Sequence, residues 1–229
     1  MDDLHALIRR HLEQGDAIGW FEALYARAQE EGDPCTVPWV HMAPRRELLE
    51  WVFQGQPNGH GRSGLVIGCG LGDDAQILAG LGYRTVAFDV SPTAIRWCRE
   101  RFPDSPVEFV VADLFHPPAE WHRAFDLVVE GFIVQALPLE MRAETVAACA
   151  AFVAPGGTLL AIGLGVDREE ERGGPPWPLT LEELALYEAQ GLRRIQLQRW
   201  DDPEKAPLFR YWAEYRRDGP PGSSRRPQE

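Results

Sequence analysis

The sequence predicts an α/β fold with a largely parallel sheet, on three observations. From Gly64 onward, short β-rich runs alternate with helical patterns, the signature of successive βαβ units. The first run, Leu65-Val66-Ile67, passes directly into three alternating glycines and then a helical pattern. Later runs end in the acids Asp89, Asp113 and Glu130, where strands deliver residues to the carboxyl edge of such a sheet.

Taken in order, Ile18, Phe21, Leu24 and Tyr25 recur at helical spacing and predict a helix over 16–31, stopped by Gly32-Asp33-Pro34. A second helix is expected over 44–53. The prolines between them leave Trp39 on a connection, and the glycine-rich polar stretch 54–63 reads as a linker. Strands are expected at 65–67, 85–88, 107–111, 125–129 and 158–162, with helices at 73–81, 91–102 and 138–153 and a short turn near Trp121. Right-handed crossovers would connect them. Beyond Gly163, an acidic, Gly/Pro-rich loop leads to a helix from Thr180, with Glu183 three residues on as in a capping box. Strands at 192–200 and 208–216, joined by Asp201-Asp202-Pro203, are expected to form an antiparallel pair. The chain divides into a helical lid and linker (1–62), a ligand-binding domain (63–217) and a polar tail (218–229) expected to be disordered.

Composition narrows the function. At 229 residues and 45% hydrophobic, the chain is sized for one core with a small appendage. Its 23 Lys+Arg against 35 Asp+Glu give a net charge of −12, a field that repels phosphate backbones and argues against nucleic acid as partner. Four dispersed cysteines without a C-x-x-C pair read as free thiols, and six scattered histidines give no metal-ligand spacing. With no run of ~18 apolar residues and an acidic start, a cytoplasmic protein without a membrane partner is expected, as a monomer or weak homodimer.

The chemistry concentrates in Gly68-Cys69-Gly70-Leu71-Gly72-Asp73-Asp74. Gly68, Gly70 and Gly72 would let a ligand approach the backbone at a helix N-terminus, although a plain tight βα turn would carry the same residues. A dinucleotide fingerprint needs glycine where Asp73 stands, and a carboxylate there discourages pyrophosphate, so a nicotinamide cofactor is disfavoured. Asp89, seventeen residues past Gly72, is placed to accept both hydroxyls of a ribose. Ser91 and Pro92 already fill the cap and first-turn positions of the next helix. Asp113 is suited to accept from an exocyclic adenine amine, and Glu130 joins the same edge. A crevice lined by these three acids suits a cationic ligand.

In this combination the sequence resembles the class I S-adenosylmethionine-dependent methyltransferases, over roughly 64–163. The shared features are the glycine loop, the ribose acid, Ala112-Asp113, the strand Phe125-Asp126-Leu127-Val128-Val129-Glu130-Gly131 and the turn Ala154-Pro155-Gly156-Gly157. Val66 stands where that family usually has an acid two residues before the first glycine. The resemblance implies S-adenosylmethionine as cofactor and a Rossmann-like seven-stranded mixed sheet of order 3-2-1-4-5-7-6. Helices would cover both faces, beneath an N-terminal helical lid. It implies cofactor contacts from Trp39, Gly68, Gly70, Gly72, Asp73, Asp89, Val90, Asp113, Leu114 and Glu130.

Within that family the chain looks like the thiopurine S-methyltransferase and halide/thiol methyltransferase branch. The residues are Val37-Pro38-Trp39, the glycine loop, Ala136-Leu137-Pro138 with Arg142, and Gly174-Pro175-Pro176-Trp177. Here Trp39 would pack on the cofactor, with its indole face toward the sulfonium, or else anchor the lid helices. Phe132, Arg142 and Trp177 would meet a small-molecule acceptor, with Arg168 and Arg172 as further candidates for a substrate carboxylate. A hydroxyl acceptor would need a base, for which Glu130 and His41 are the candidates. The expected activity is methylation of a small molecule, with S-methylation of a thiol or other soft nucleophile first. O- or N-methylation of a small metabolite and a non-catalytic binding module are the alternatives.

Overall fold

The computed structural model describes residues 2–201 and 203–219. Its sheet comprises β1 (Ser63–Ile67), β2 (Arg84–Asp89), β3 (Glu108–Val111), β4 (Phe125–Gly131), β5 (Val153–Val166), β6 (Leu179–Thr180), β7 (Leu192–Asp201) and β8 (Phe209–Arg217). The order is β3-β2-β1-β4-β5-β8-β7, with the two-residue β6 paired to the end of β5. Pairing is parallel throughout except at β8, which runs antiparallel to β5 and β7. The expected seven-strand order is present, and β6 is an eighth, short pairing added to it.

The helices are α1 (Asp2–Glu13), α2 (Gly19–Glu31), α3 (Arg46–Gly55), α4 (Asp73–Gly80), α5 (Pro92–Arg101), α6 (Arg142–Ala151) and α7 (Leu186–Ala189). Alternation along the strands sends Leu65, Ile67, Phe88 and Val128 to one face, where they pack with Val146, Cys149 and Tyr187 of α6 and α7. Val66, Ala87, Leu127 and Val129 go to the other, under Leu48, Trp51, Leu78, Ile95 and Cys98 of α3, α4 and α5. Burial on both faces is why the central strands read as continuous apolar runs. A third, smaller cluster joins the lid to the glycine loop through Tyr25, Ala28, Val37, Leu71 and Ala94.

Four elements differ from the sequence expectation. α1 was not anticipated; it presents Leu4, Ile8 and Leu12 along one face, with Ile8 buried. α3, grouped with the lid by sequence, is a layer helix: Glu47 pairs with Arg210, and Trp51 Nε1–H donates to Glu214 at 2.8 Å. The helix expected over 138–153 is shorter, because a 3-10 turn at Leu139–Met141 precedes α6 and β5 already starts at Val153. Phe125 pairs with Val153 but Leu127 with Thr158, so Ala154-Pro155-Gly156-Gly157 bulges out within the strand. A Cβ on Gly157 would lie 2.9 Å from the carbonyl oxygens of Ala154 and Phe125.

The capping box forms, with Thr180 N–H donating to Glu183 at 2.8 Å and Glu183 N–H to Thr180 Oγ1 at 3.3 Å. It opens only a 3-10 turn and the four residues of α7. No helix among the described residues is long and apolar enough to cross a membrane. Of the expected tail, residues 220–229 lie outside the described residues, as does Asp202 of the β7–β8 turn.

Candidate cofactor crevice

Ile67 sits opposite Phe88 and Glu130, so the carboxyl ends of β1, β2 and β4 form one edge. There Gly68, Gly70 and Gly72 adopt φ of +56°, +54° and +88°, values that disfavour any side chain. A Cβ on Gly68 would stand 2.2 Å from Ile133 Cδ1, and one on Gly70 3.2 Å from the Tyr25 hydroxyl. The loop is therefore overhung by Ile133 after β4 and by Tyr25 of α2.

Asp89 ends β2 and is 7% exposed. Gly70 N–H donates to its Oδ2 at 2.9 Å and Ser91 N–H to its Oδ1 at 3.0 Å, fixing the carboxylate plane across the loop. Burial pushes its pKa up to about 6; the backbone N–H groups of Ser91, Gly70 and Val90 pull it back, and nearby Glu22 raises it. No cation pairs with this acid among the described residues, and each oxygen keeps acceptor capacity. Vicinal hydroxyls are the donors that complete such a site.

The lid is locked beside it. Glu22 of α2 accepts from Ser91 Oγ–H, from Thr93 Oγ1–H at 2.7 Å and from Thr93 N–H at 3.2 Å. Ser91 also caps α5, its Oγ accepting from Ala94 N–H at 3.0 Å, with Pro92 in the first turn. Trp39 donates from Nε1 to the Tyr25 hydroxyl at 2.8 Å and meets Trp20, Phe21 and Tyr25 edge-on. Tyr25, rather than Trp39, is thus the lid residue set against the loop, and Trp39 anchors the lid's aromatic cluster.

Of the two acids after the loop, Asp73 was expected at the cofactor. It instead takes a bidentate ion pair from Arg101 of α5, both contacts at 2.8 Å. Asp74 is the functional neighbour that sequence reasoning passed over: 3% exposed, it accepts from Arg45 N–H at 2.8 Å and pairs with the Arg45 guanidinium. Arg45 also donates to Gly131 O at 3.2 Å, and a Cβ on Gly131 would stand 2.8 Å from the guanidinium. Burial works against the charge on Arg45, but Asp74, Tyr25 and Glu130 raise its pKa overall. A fixed cation therefore closes the end of the crevice between α4 and β4.

Phe132 follows with φ of +67°, strained for a residue with a side chain and held by its N–H to Ile162 O at 2.8 Å. Its ring lies 5.6 Å from the Arg45 guanidinium and 5.5 Å from that of Arg210, packed toward α3. The acceptor contact expected of Phe132 is corrected accordingly, and Ile133 is the residue of this turn that reaches the loop.

Glu130 also departs from expectation as an open base. It is 1% exposed, its Oε1 accepting from the Tyr187 hydroxyl at 2.7 Å and its Oε2 from Ile133 N–H at 3.2 Å. Burial pushes its pKa up to about 7, against the pull of those donors and of Arg45. Its role is to position the 131–135 turn from below. Because the folded value lies above the free carboxyl value of 4.5, its contribution to stability is complete below pH 4.5 and lost as pH rises through 7. In Glu130→Gln the amide oxygen accepts from Ile133 N–H and the amide NH2 donates to the Tyr187 hydroxyl, which removes this loss. Urea unfolding at pH 8 should show the variant more stable than wild type by about 3 kcal/mol, with the gap closing at pH 5.

Asp113, after β3, accepts from Phe115 N–H at 2.9 Å and from the exposed His116 ring at 2.7 Å, while Leu114 is buried against the α6 face. Arg142, expected to meet an acceptor, is 3% exposed and clamps the fold: it donates to Glu183 at 2.7 Å and to Trp177 O at 2.6 Å. Arg172 shares Glu183, and Arg168 pairs with Glu171. Trp177 is held by its N–H to Gln135 O at 2.7 Å, which docks its loop on the turn after β4. His41 is exposed.

Residues 65–161 match the family described as methyltransferase domain. Among similar solved structures is a protein of echinomycin biosynthesis, in which a disulfide bond is converted into a thioacetal group. It is 23% identical with a TM-score of 0.66, covering 86% of this chain and 90% of that one. The 1,6-didemethyltoxoflavin-N1-methyltransferase of Burkholderia thailandensis, with bound S-adenosylhomocysteine, is 19% identical with a TM-score of 0.61, covering 86% and 87%. Magnesium protoporphyrin IX methyltransferase of Synechocystis PCC 6803, with bound S-adenosylmethionine, is 14% identical with a TM-score of 0.58, covering 75% and 76%. These likenesses establish a common fold.

The crevice fits the cofactor on this chain's own geometry: a cation-free buried acid for ribose hydroxyls, glycines that clear the backbone, and a fixed guanidinium at the far end. The methyltransferase-domain match over residues 65–161, together with this sheet order, marks the chain as an enzyme that uses S-adenosylmethionine.

Proposed function

We propose that the chain methylates a small molecule, and that the accepting atom is a thiol sulfur or another soft nucleophile. The observation that carries this is the burial of Glu130, which takes the acid at the end of β4 out of the role of base. A hydroxyl acceptor needs such a base; a thiol, with a reference pKa of about 8.5, already holds a thiolate fraction near neutral pH. Bound S-adenosylmethionine supplies an electrophilic methyl on a sulfonium. The chain's residues position it: Asp89 takes the ribose hydroxyls, Asp113 and Leu114 flank the adenine, and Arg45 faces the carboxylate of the amino-acid end. Tyr25 and Ile133 close over the glycine loop and exclude water.

Two further points support the reading. The motifs around Trp39, Arg142 and Trp177 resemble those of the thiopurine and thiol branch. A neighbour aligned over 86% of this chain belongs to a conversion that takes place at sulfur. N-methylation is the second reading, favoured by an N1-methyltransferase that aligns over the same share. A matched panel of benzyl mercaptan, benzylamine and benzyl alcohol, assayed with S-adenosylmethionine and product mass analysis, decides between them. The thiol should lead in kcat/KM by about tenfold or more; a leading amine or alcohol product would overturn the sulfur assignment. Cofactor binding without any product would favour the non-catalytic module.

A further inference from the structure

Between α1 and the loop carrying Trp177 lies a cavity of about 730 Å³, in the size range of small-molecule sites. His5, Ile8, Arg9 and Leu12 line it from the helix, Pro175 and Trp177 from the loop. Positions 5, 8, 9 and 12 share one helical face, so Ile8 and Leu12 form an apolar strip flanked by two basic residues. Its loop wall is tied to the turn after β4. Trp177 N–H is bonded to Gln135 O, and Gln135 lies two residues beyond Ile133, which overhangs Gly68. On the other side α1 packs against α2, the helix that sets Tyr25 against Gly70.

One guanidinium lines this cavity, that of Arg9. Among the described residues, neither His5 nor Arg9 has an ion-pair partner. Directly behind Trp177, Arg142 and Arg172 share the single carboxylate of Glu183, and the Nε of each is buried without a partner. Among the described residues, Glu13 is the acid lining the cavity. Arg9 and Glu13 thus place one charge of each sign on the lining, a turn apart.

We propose that this cavity is the acceptor site and that it selects a flat apolar or aromatic molecule bearing a carboxylate. Arg9 holds the anion; the Ile8/Leu12 strip and the Trp177 indole hold the body. Arg142, Arg168 and Arg172, the arginines first considered for this purpose, are engaged with Glu183 and Glu171, which leaves Arg9 to meet the substrate. The word acceptor rests on the methyltransferase reading, but the site does not depend on the accepting atom being sulfur.

The test is binding rather than turnover. Naphthalene-2-carboxylate and the neutral naphthalene-2-methanol are titrated calorimetrically into the full chain, with and without saturating S-adenosylhomocysteine. The carboxylate should bind about tenfold more tightly, the worth of one charge-assisted hydrogen bond. Arg9→Ala should reduce it to the level of the alcohol, and Trp177→Ala should weaken both probes, with S-adenosylhomocysteine affinity unchanged in each variant. Equal affinities in the wild type, no saturable binding of either probe, or a preference that survives Arg9→Ala would each overturn the proposal. Failure of S-adenosylhomocysteine itself to bind would instead remove the methyltransferase reading, while the probe titrations without it still decide the cavity.

Discussion

Asp89→Ala is expected to weaken S-adenosylhomocysteine binding by about a hundredfold in calorimetric titration, since two hydrogen bonds to a charged acceptor disappear together. The wild-type affinity should carry the signature of the same group. The carboxyl titrates at about 6 because burial outweighs its backbone donors, so affinity should be level above pH 7 and decline as pH falls through 6. On protonation one oxygen becomes a donor, which leaves it facing Gly70 N–H or Ser91 N–H. Asp89→Asn should bind weakly at every pH and show no such decline. Unchanged affinity in Asp89→Ala would take the ribose away from β2.

The second large effect is expected in folding. Arg45→Ala removes the partner of Asp74, a carboxylate only 3% exposed, and should lower stability by about 3–5 kcal/mol in urea unfolding at pH 7.5. Replacing both groups, as Arg45→Met with Asp74→Leu, should recover part of that loss, because no orphaned charge remains. Arg45→Lys gives a milder variant in which binding can be read. Its affinity for S-adenosylhomocysteine should drop several-fold, while that for 5′-methylthioadenosine, which lacks the amino-acid end, stays level. A parallel loss for both ligands would mean that Arg45 shapes the fold without facing the cofactor.

What the sequence disclosed follows the range of the interactions concerned. The glycine loop, the cap at Ser91 and the capping box at Thr180 are local, so neighbouring residues carry their own signature. The strand order entered through a family resemblance rather than through periodicity. Arg45 and Asp74 are 29 residues apart, and Glu22 and Ser91 are 69 apart; nothing near either pair in the chain announces the other. Asp73 was the more conspicuous acid, yet Arg101, the last residue of α5, takes it. Glu130 was rightly set at the end of its strand. Alternation then turns it away from solvent toward Tyr187, a residue 57 positions later. α1 is the exception: Leu4, Leu7, Ile8 and Leu12 recur at helical spacing, so its pattern is local and was legible in the sequence.

Glu22 bears on the order of events in a turnover. Its three bonds tie α2 to the start of α5, right beside Asp89, and the same helix carries Tyr25 over Gly70. A nucleoside seated beneath them is expected to leave as those bonds part, which would couple departure of the spent cofactor to opening of α2. Release of the spent cofactor should then slow or quicken with this latch, which stopped-flow displacement of S-adenosylhomocysteine would read. Loosening this latch, as Glu22→Gln does, would be felt as faster exchange of the nucleoside on a sheet that stays intact.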